Sequence, residues 1–386
     1  MNNKLSHQTA HRVCTQCVMD TSDQFIEFDL DGVCNHCKLF QVKNSNMPLA
    51  NNGEKQLESI FQKIKDSGRE KEYDCILGLS GGVDSSYVAL LVKKYKLNPL
   101  VIHVDGGWNT ELAVFNIQKL VEYLDADLHT HVVNWKEMKS LQRAYLKSGL
   151  ANQDVPQDHA FFACLYHYAS EYNVKYIISG SNVATEGVFP SGWLGDAMDA
   201  QCLKAVNLKF GGMKLKTYPL LSFFSYYIYY PFVKRMHTVK PLNYIVYNKK
   251  NAVAELEKTI GYKPYARKHG ESTFTKFYQN YYLPTKYGLD KRRPHLSSLV
   301  LSNQIDRDEA LRLLEKPLYV EDDLARDLLF VAKKLDMNVE ELKNLTHDPF
   351  KTYYEQYPNW ISKINVLRKI YKIVVKLGIK PTLKAH

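Results

Sequence analysis

At 386 residues the chain is long enough for roughly two to three domains. Its 45% hydrophobic and 24% charged residues, with 19 glycines and 14 prolines, exclude a disulfide-stapled mini-protein, a collagen-like chain and long disorder. The net charge of +10 is concentrated: residues 234–293 hold 14 basic and 4 acidic side chains, which implies either an anionic ligand or a solvated basic face.

The first 13 residues are polar and carry no apolar signal segment, so a cytoplasmic protein is expected. Four of the seven cysteines then form two pairs, Cys14-x2-Cys17 and Cys34-x2-Cys37, 16 residues apart. Two such knuckles offer four thiolates to one tetrahedral ion, the zinc-ribbon pattern, with an iron–sulfur cluster as the alternative. A closed four-sulfur site of this kind is structural rather than catalytic. Cys75, Cys164 and Cys202 stand alone in apolar surroundings and read as buried small hydrophobes.

A charged helical stretch over residues 54–71 leads into an apolar strand at 73–79. The strand ends in Ser80-Gly81-Gly82-Val83-Asp84-Ser85-Ser86, followed by the apolar start of a helix. Helix N-termini present unpaired N–H groups, and glycines let the backbone close on an anion, so this turn is a phosphate cradle. No glycine is followed by lysine, which excludes a Walker loop, and no G-x-G-x-x-G is present. Gly78-Leu79-Ser80-Gly81-Gly82 does satisfy the nucleophile elbow of serine hydrolases, but that elbow normally follows several strands and leaves Asp84-Ser85-Ser86 without a role.

Further strands are predicted at 99–105, 129–133 and 175–179, with helices between them, one capped by Asn109 or Thr110. The alternation predicts an α/β fold with a doubly wound parallel sheet. Its ligand then lies beyond the strands' carboxyl ends, where residues 80–86, 105–108 and 180–182 converge. Asp105 could face that ligand or cap a turn. A tyrosine-rich run at 218–233 is 16 residues long with two prolines, too short and polar to cross a bilayer, and reads as either core or docking surface. Asp306 and Asn338 open helices of a C-terminal module, and residues 360–377 repeat apolar side chains at helical spacing with Gly378 as the stop. Such a helix packs on the rest of the protein or lies on a membrane surface.

The string Ser-Gly-Gly-Val-Asp-Ser resembles the pyrophosphate loop of the N-type ATP pyrophosphatases, the PP-loop superfamily of asparagine, GMP and NAD synthetases and tRNA-modifying ligases. The resemblance implies an adenine nucleotide alpha hydrolase-like sheet that binds ATP and releases pyrophosphate. With the cysteine pairs, Ser179-Gly180-Ser181-Asn182-Val183-Ala184-Thr185-Glu186, Lys268-His269-Gly270-Glu271-Ser272 and Gly288-Leu289-Asp290-Lys291-Arg292-Arg293, the chain from Cys14 to Pro317 is similar to the N-acetyl sugar amidotransferases of bacterial lipopolysaccharide and surface-sugar pathways. That family turns a sugar acetamido group into an acetamidino group, typically on a nucleotide-linked diacetamido uronic acid.

Three modules are expected on this basis: a zinc-ribbon-like segment at 1–50, a PP-loop ATP pyrophosphatase domain at 51–260, and a basic, substrate-contacting segment with a helical module at 261–386. The resemblance implies ATP contacts from Ser80, Gly81, Gly82, Val83, Asp84, Ser85, Ser86, Val104, Asp105 and Gly180. Asp84 would orient the loop backbone or share Mg2+, Glu186 or Glu271 would bind Mg2+ or sugar hydroxyls, and Lys268 would stabilise the transferring phosphate. The substrate's anions and hydroxyls would meet Asn182, Glu186, Arg267, Lys268, His269, Glu271, Lys276, Lys291, Arg292 and Arg293; arginine suits bidentate phosphate contacts. Residue 2 is asparagine and no G-x-C-x-G occurs, so ammonia is expected free or from a separate glutaminase, akin to the imidazole glycerol phosphate synthase pair. No stable nucleic-acid partner and no membrane span are expected. The rival reading keeps the fold and makes a tRNA base the acceptor.

Overall fold

The computed structural model describes residues 11–190, 192–265 and 270–376. Short apolar runs form five strands: β1 (Cys75–Gly78), β2 (Pro99–Asp105), β3 (Leu128–Val132), β4 (Tyr176–Ile178) and β5 (His237–Val239). They lie in the order β3-β2-β1-β4-β5 with every neighbouring pair parallel. All four residues of the central β1 are buried, as a parallel strand covered on both faces requires. Leu77 sits opposite Val101 of β2 and Ile178 of β4. The strands are shorter than the apolar runs in the sequence. Leu79 and Ser179 each donate one further backbone bond, to Ile102 and Val239, and the chain then turns into the strand-end loops.

Helices α1 (Asn35–Ser45) and α2 (Gly53–Gly68) precede the sheet. After β1 and β2 come α3 (Val83–Lys94) and α4 (Glu111–Leu124); α5 (Trp135–Ser148) and α6 (Val155–Glu171) separate β3 from β4. Between β4 and β5 lie α7 (Val183–Glu186) and α8 (Ala200–Phe210), and α9 (Lys249–Ile260) follows β5. Phe61, Val88, Leu120 and Leu256 of α2, α3, α4 and α9 pack with Leu77 and Val101 in one core. Ala163, Leu165 and Ala169 of α6 pack with Ile76, Leu100 and Ile102 in another, so helices cover both faces and the sheet is doubly wound as expected. Its strand order reverses at β1, which places the crevice at the carboxyl ends of β1 and β4.

The remainder is helical: α10 (Thr273–Phe277), a π-helical stretch (Tyr278–Tyr287), α11 (Arg292–Leu301), α12 (Arg307–Glu315), α13 (Glu321–Lys334), α14 (Val339–His347) and α15 (Ile361–Lys376). The N-terminal cysteine segment shares a core with α10 and α13, in which the four knuckle cysteines cluster with Phe274, Phe277, Leu328 and Val331. Polar contacts fasten the same joint. Arg307 donates to the carbonyls of Cys14 (2.7 Å) and Cys17 (3.0 Å), Arg293 to that of Val18 (2.8 Å), and the Val18 amide to Ser297 Oγ (3.2 Å).

The tyrosine-rich run contributes to core and surface alike. Over Ser225–Val233 it winds as a π-helix with Pro231 inside; Tyr230 is buried, and Tyr226 and Tyr227 meet the ring of Trp360, while Phe224, Phe232 and Val233 are exposed. α15 likewise packs through Ile364 and leaves Val366, Ile370 and Ile373 in solvent. Among the described residues no helix is long and apolar enough to cross a membrane.

Candidate active site

A cavity of 1470 Å³ opens at the sheet's switch point, and its wall includes Ser80, Gly82, Val83, Asp84 and Ser85. The turn into α3 shapes this part of the wall. Gly81 has φ +83°, a left-handed conformation that favours glycine, and Gly82 is the N-cap, with no side chain of its own to occupy the first amides of α3. Ser80 Oγ accepts from the Gly82 amide at 3.3 Å, and the hydroxyls of Ser85 and Ser86 donate to the Gly82 carbonyl at 3.1 and 2.8 Å. Both Tyr262 and Tyr265 donate to the Gly81 carbonyl from outside, at 3.0 and 3.1 Å. Gly180 at the end of β4 closes on the loop so tightly that a Cβ there would lie 2.7 Å from the Ser85 amide nitrogen. The cradle is therefore assembled before any ligand arrives, and its free N–H groups and helix dipole suit a polyphosphate.

Carboxylates stand beside these anion-seeking amides. Asp84, in the first turn of α3, accepts from the Tyr247 hydroxyl at 2.5 Å and from Thr185 Oγ1 at 3.0 Å. Burial and the Asp84 charge push the Tyr247 hydroxyl far above its usual range, so it stays a donor. Glu186 and Glu271 share the cavity wall, and a Cβ on Gly82 would come within 3.3 Å of Glu271 Oε1. Phosphates and carboxylates at one site repel unless a cation joins them, and Mg2+ characteristically takes one or two carboxylates plus phosphate oxygens. The residues fit a magnesium ion that arrives with its nucleotide. Among the described residues only Cys14, Cys17, Cys34 and Cys37 converge as a ready ligand set.

Those four sulfurs lie within 4.8 Å of one another, with Cys14–Cys37 at 3.7 Å and Cys17–Cys34 at 3.6 Å. Tetrahedral sulfur ligands at ~2.3 Å from zinc would stand about 3.8 Å apart, so the cluster fits the ion. Backbone amides of Gln16, Met19 and Cys34 point at the sulfurs from 3.2 to 3.4 Å, the kind of outer contact that favours thiolate.

The cavity gathers some of the expected site residues and excludes others. Val104, Gly180, Glu186, Glu271 and Lys291 line it. The buried Lys291 has its ammonium 4.8 Å from the centre of the Phe189 ring. Ser86 is buried against the Gly82 carbonyl. Asp105 takes the turn reading: its carboxylate accepts from the Gly107 amide at 2.7 Å and from Asn109 at 3.2 Å. Asn182 caps α7 by accepting from the Thr185 amide, which aims Thr185 at Asp84.

Three expected substrate cations are engaged with protein instead. Lys276 pairs with Asp327 at 2.7 Å. Arg292 pairs with Asp290 at 2.8 Å and donates to three carbonyls after α11, those of Leu313, Leu314 and Lys316. Arg293 pairs with Asp20 at 2.8 Å. Local density of positive charge gave no hint of the distant partners Asp327 and Asp20. Arg267, Lys268 and His269 lie outside the described residues.

Other wall and loop residues escaped sequence reasoning because nothing local marks them: Tyr247, Tyr262 and Tyr265 around the loop, and His103 beneath it. His103 Nδ1 lies 3.0 Å from the Leu79 carbonyl, which can only accept, so Nδ1 carries the proton and Nε2 accepts from Asn109 at 2.9 Å.

Comparison with known families gives two matches along this frame. Residues 54–196 match the family model for NAD synthase, the stretch that holds the loop, β1 to β4 and the cradle. Residues 271–371 match the model for the LPS biosynthesis protein WbpG-like C-terminal domain. Residues 54–196 are a PP-loop domain of the NAD synthase type. Its NAD synthase-type stretch is followed by a WbpG-like one, in line with the resemblance to sugar amidotransferases of the PP-loop superfamily.

A curated relative, the uncharacterized protein MJ1599 of Methanocaldococcus jannaschii, is 32% identical over 117 residues, 30% of this PP-loop protein. The match spans 40% of that relative's length. Similar solved structures include NMN synthetase from Francisella tularensis (16% identity, TM-score 0.27, 73% of this chain and 93% of that one). The NH3-dependent NAD synthetase from Campylobacter jejuni (18%, 0.31, 70% and 99%) and NAD+ synthetase from Burkholderia pseudomallei (16%, 0.35, 77% and 94%) are others. The fold assignment rests on the sheet order and the family match rather than on these superpositions.

Proposed function

We propose that the protein is an ATP-dependent amidotransferase that converts an acetamido group of a nucleotide-linked N-acetyl sugar to an acetamidino group, with a UDP-2,3-diacetamido uronic acid as the acceptor of choice. The observation that carries the reading is the pre-assembled loop of residues 80–86 opening into a cavity whose wall includes WbpG-like residues. An NAD synthase-type PP-loop domain is an ATP-using module for C–N bond formation. The cavity exceeds the usual size of a site for one small ligand, roughly 300–1,000 Å³, and so suits nucleotide and acceptor together.

An amide oxygen is a poor leaving group, so it must be activated before nitrogen can replace it. The acetamido oxygen attacks the α-phosphorus of ATP, and the bond to the β-phosphate oxygen breaks to release pyrophosphate. Ammonia then adds to the imidate carbon, AMP departs with the former amide oxygen, and loss of a proton leaves the amidine. The cradle amides and the α3 dipole hold the β- and γ-phosphates and stabilise the departing pyrophosphate. Asp84, fixed by Tyr247 and Thr185, and Glu186 would hold Mg2+, which supplies charge neutralisation at the phosphates. Lys291 is the described basic residue of the 291–293 triplet on the wall and would meet an acceptor anion. A separate glutaminase would supply the ammonia, and zinc in the cysteine cluster would fasten the N-terminus to the WbpG-like domain.

The test is incubation of the full chain with ATP, Mg2+ and ammonium chloride, with and without the UDP-diacetamido uronate. Acceptor-dependent AMP and pyrophosphate, with a product in which NH has replaced one oxygen, support the reading. Pyrophosphate release with unmodified tRNA but not with the sugar overturns it.

A further inference from the structure

The two faces of α15 differ in character. Its inner row, Ile361, Ile364, Asn365 and Arg368, lines the cavity. The opposite face is apolar and open to solvent: Val366, Ile370 and Ile373 recur at i, i+4 and i+7 and are 55%, 50% and 57% exposed. By helical spacing the exposed Lys363 falls on one side of this row and the exposed Lys369 on the other. The helix contains no Asp or Glu.

The same pattern continues on the elements beside it. Lys363 donates to Gln201 of α8 at 2.8 Å, and Trp360, just before α15, meets the rings of Tyr226 and Tyr227 in the π-helical stretch Ser225–Val233. Leu208 of α8 is 88% exposed, and Phe232 and Val233 end the π-helical stretch in solvent close to the exposed Arg235 in sequence. Charge here has one sign. Residues 200–254 hold nine lysines and arginines and residues 356–386 hold seven, with no Asp or Glu in either stretch, although the whole chain carries 41 acidic residues. The acids that bound these stretches are engaged elsewhere: Asp199 caps α8 from a buried position, Glu255 accepts from Tyr87, and Glu355 lines the cavity.

An exposed aliphatic row bordered by charge marks an interaction surface, and the chemistry of the row and its border selects the partner. Aliphatic side chains flanked by flexible ammonium groups match a bilayer surface, where the apolar atoms enter the acyl boundary and the lysine stems reach out to anionic headgroups. A nucleic acid would use the charge but not Val366, Ile370 or Leu208, because bases stack on aromatic rings rather than on aliphatic chains. A second copy of this acid-free face would be repelled by the first. Among the described residues no helix is long and apolar enough to cross a membrane, so the attachment is peripheral.

We propose that the outer face of α15 is a docking surface for an anionic lipid bilayer, with the acid-free elements beside it adding to the attraction. One helix then carries the cavity wall on its inner side and the lipid-facing row on its outer side, so docking seats the cavity next to the membrane. The inference goes beyond the amidotransferase reading and does not depend on it.

The test is sedimentation of the full chain with vesicles, either phosphatidylglycerol mixed with phosphatidylethanolamine or phosphatidylcholine alone. The protein is expected to bind the anionic vesicles roughly tenfold or more tightly than the neutral ones, and less tightly as salt is raised. Ile370→Ser with Ile373→Ser, and separately Lys369→Gln with Lys372→Gln, should each weaken binding to the anionic vesicles roughly tenfold. The melting temperature of both should stay at the wild-type value, because these four side chains are in solvent. Equal binding to both kinds of vesicle, no binding to either, or a double variant that binds as the wild type does overturns the proposal. Failure on vesicles together with tight tRNA binding, or with a dimer that Ile370→Ser dissolves, would overturn it too and assign the face to nucleic acid or to a second copy. None of these readouts uses the sugar or ATP, so the amidotransferase reading stands or falls separately.

Discussion

The hydroxyl of Tyr247 donates to Asp84 Oδ1 at 2.5 Å across 163 positions of sequence, while Thr185 Oγ1 donates to the other carboxylate oxygen at 3.0 Å. Two fixed donors leave Asp84 a single orientation at the mouth of the phosphate cradle. Removing the hydroxyl in Tyr247→Phe should weaken use of Mg2+ and ATP about tenfold, the value of one charge-assisted hydrogen bond. Pyrophosphate release measured against magnesium concentration checks this. Asp84→Ala should abolish release altogether, with the metal content of the cysteine cluster unchanged in both variants. A Tyr247→Phe protein with wild-type magnesium dependence would show that the loop alone orients the carboxylate.

The cysteine cluster packs in the same core as Phe274, Leu328 and Val331, so loss of its ion should be felt in α10 and α13 as well as in the N-terminal segment. Elemental analysis is expected to find one zinc per chain in the wild type and none in Cys34→Ser. The variant's melting temperature should fall by roughly 5–10 °C, since metal binding is coupled to folding. Iron and sulfide in place of zinc would identify a cluster instead.

His159 gives a pH dependence with a definite sign. Its ring is fully used: Nδ1 donates to the Ala197 carbonyl at 3.0 Å and Nε2 accepts from the Leu221 amide at 3.1 Å. Burial lowers its pKa from 6.5 to about 4; the Ala197 bond opposes the shift, and the His167 and Lys204 charges add to it. The unfolded chain therefore binds a proton between pH 6.5 and 4 that the folded chain refuses. This contribution is complete above pH 6.5 and is lost progressively down to about pH 4, a total near 3 kcal/mol. Denaturant unfolding of His159→Gln across that window should show a correspondingly shallower fall in stability than the wild type.

Local pattern carried the sheet and the loop, because their physics is local. Cys75-Ile76-Leu77 before Ser80-Gly81-Gly82 encodes strand, turn and helix start within a dozen positions, and the two cysteine pairs encode their own convergence. Long-range partners carried the rest. Charge counting could not tell that Arg293 meets Asp20 or that Lys276 meets Asp327, since each acidic partner lies on another element. Tyr247 is one of 27 tyrosines and acquires a meaning only when folding places it against Asp84. Pro231 and Pro284 each sit inside a π-helical stretch, a placement that no local pattern signals.

Neighbouring cations in the 291–293 triplet should separate cleanly by experiment. Arg293 is 18% exposed in its side chain and neutralises Asp20, itself 3% exposed, while also holding the Val18 carbonyl of the first knuckle. Arg293→Ala removes the guanidinium from a buried carboxylate that keeps its bonds from Ser22 and its contact with His11, and should cost roughly 1–2 kcal/mol of stability. Its KM for the sugar should stay at the wild-type value, because the side chain faces the N-terminal knuckle rather than the cavity. Lys291→Met keeps most of the apolar stem against Phe189 but removes a charge from the cavity wall. That change should raise the KM for an acidic nucleotide sugar several-fold, and less so at high salt, where the attraction is already screened. Equal KM effects in the two variants, measured side by side with melting curves, would mean that the triplet acts as one basic patch and that the inward pairing of Arg293 is broken when substrate binds.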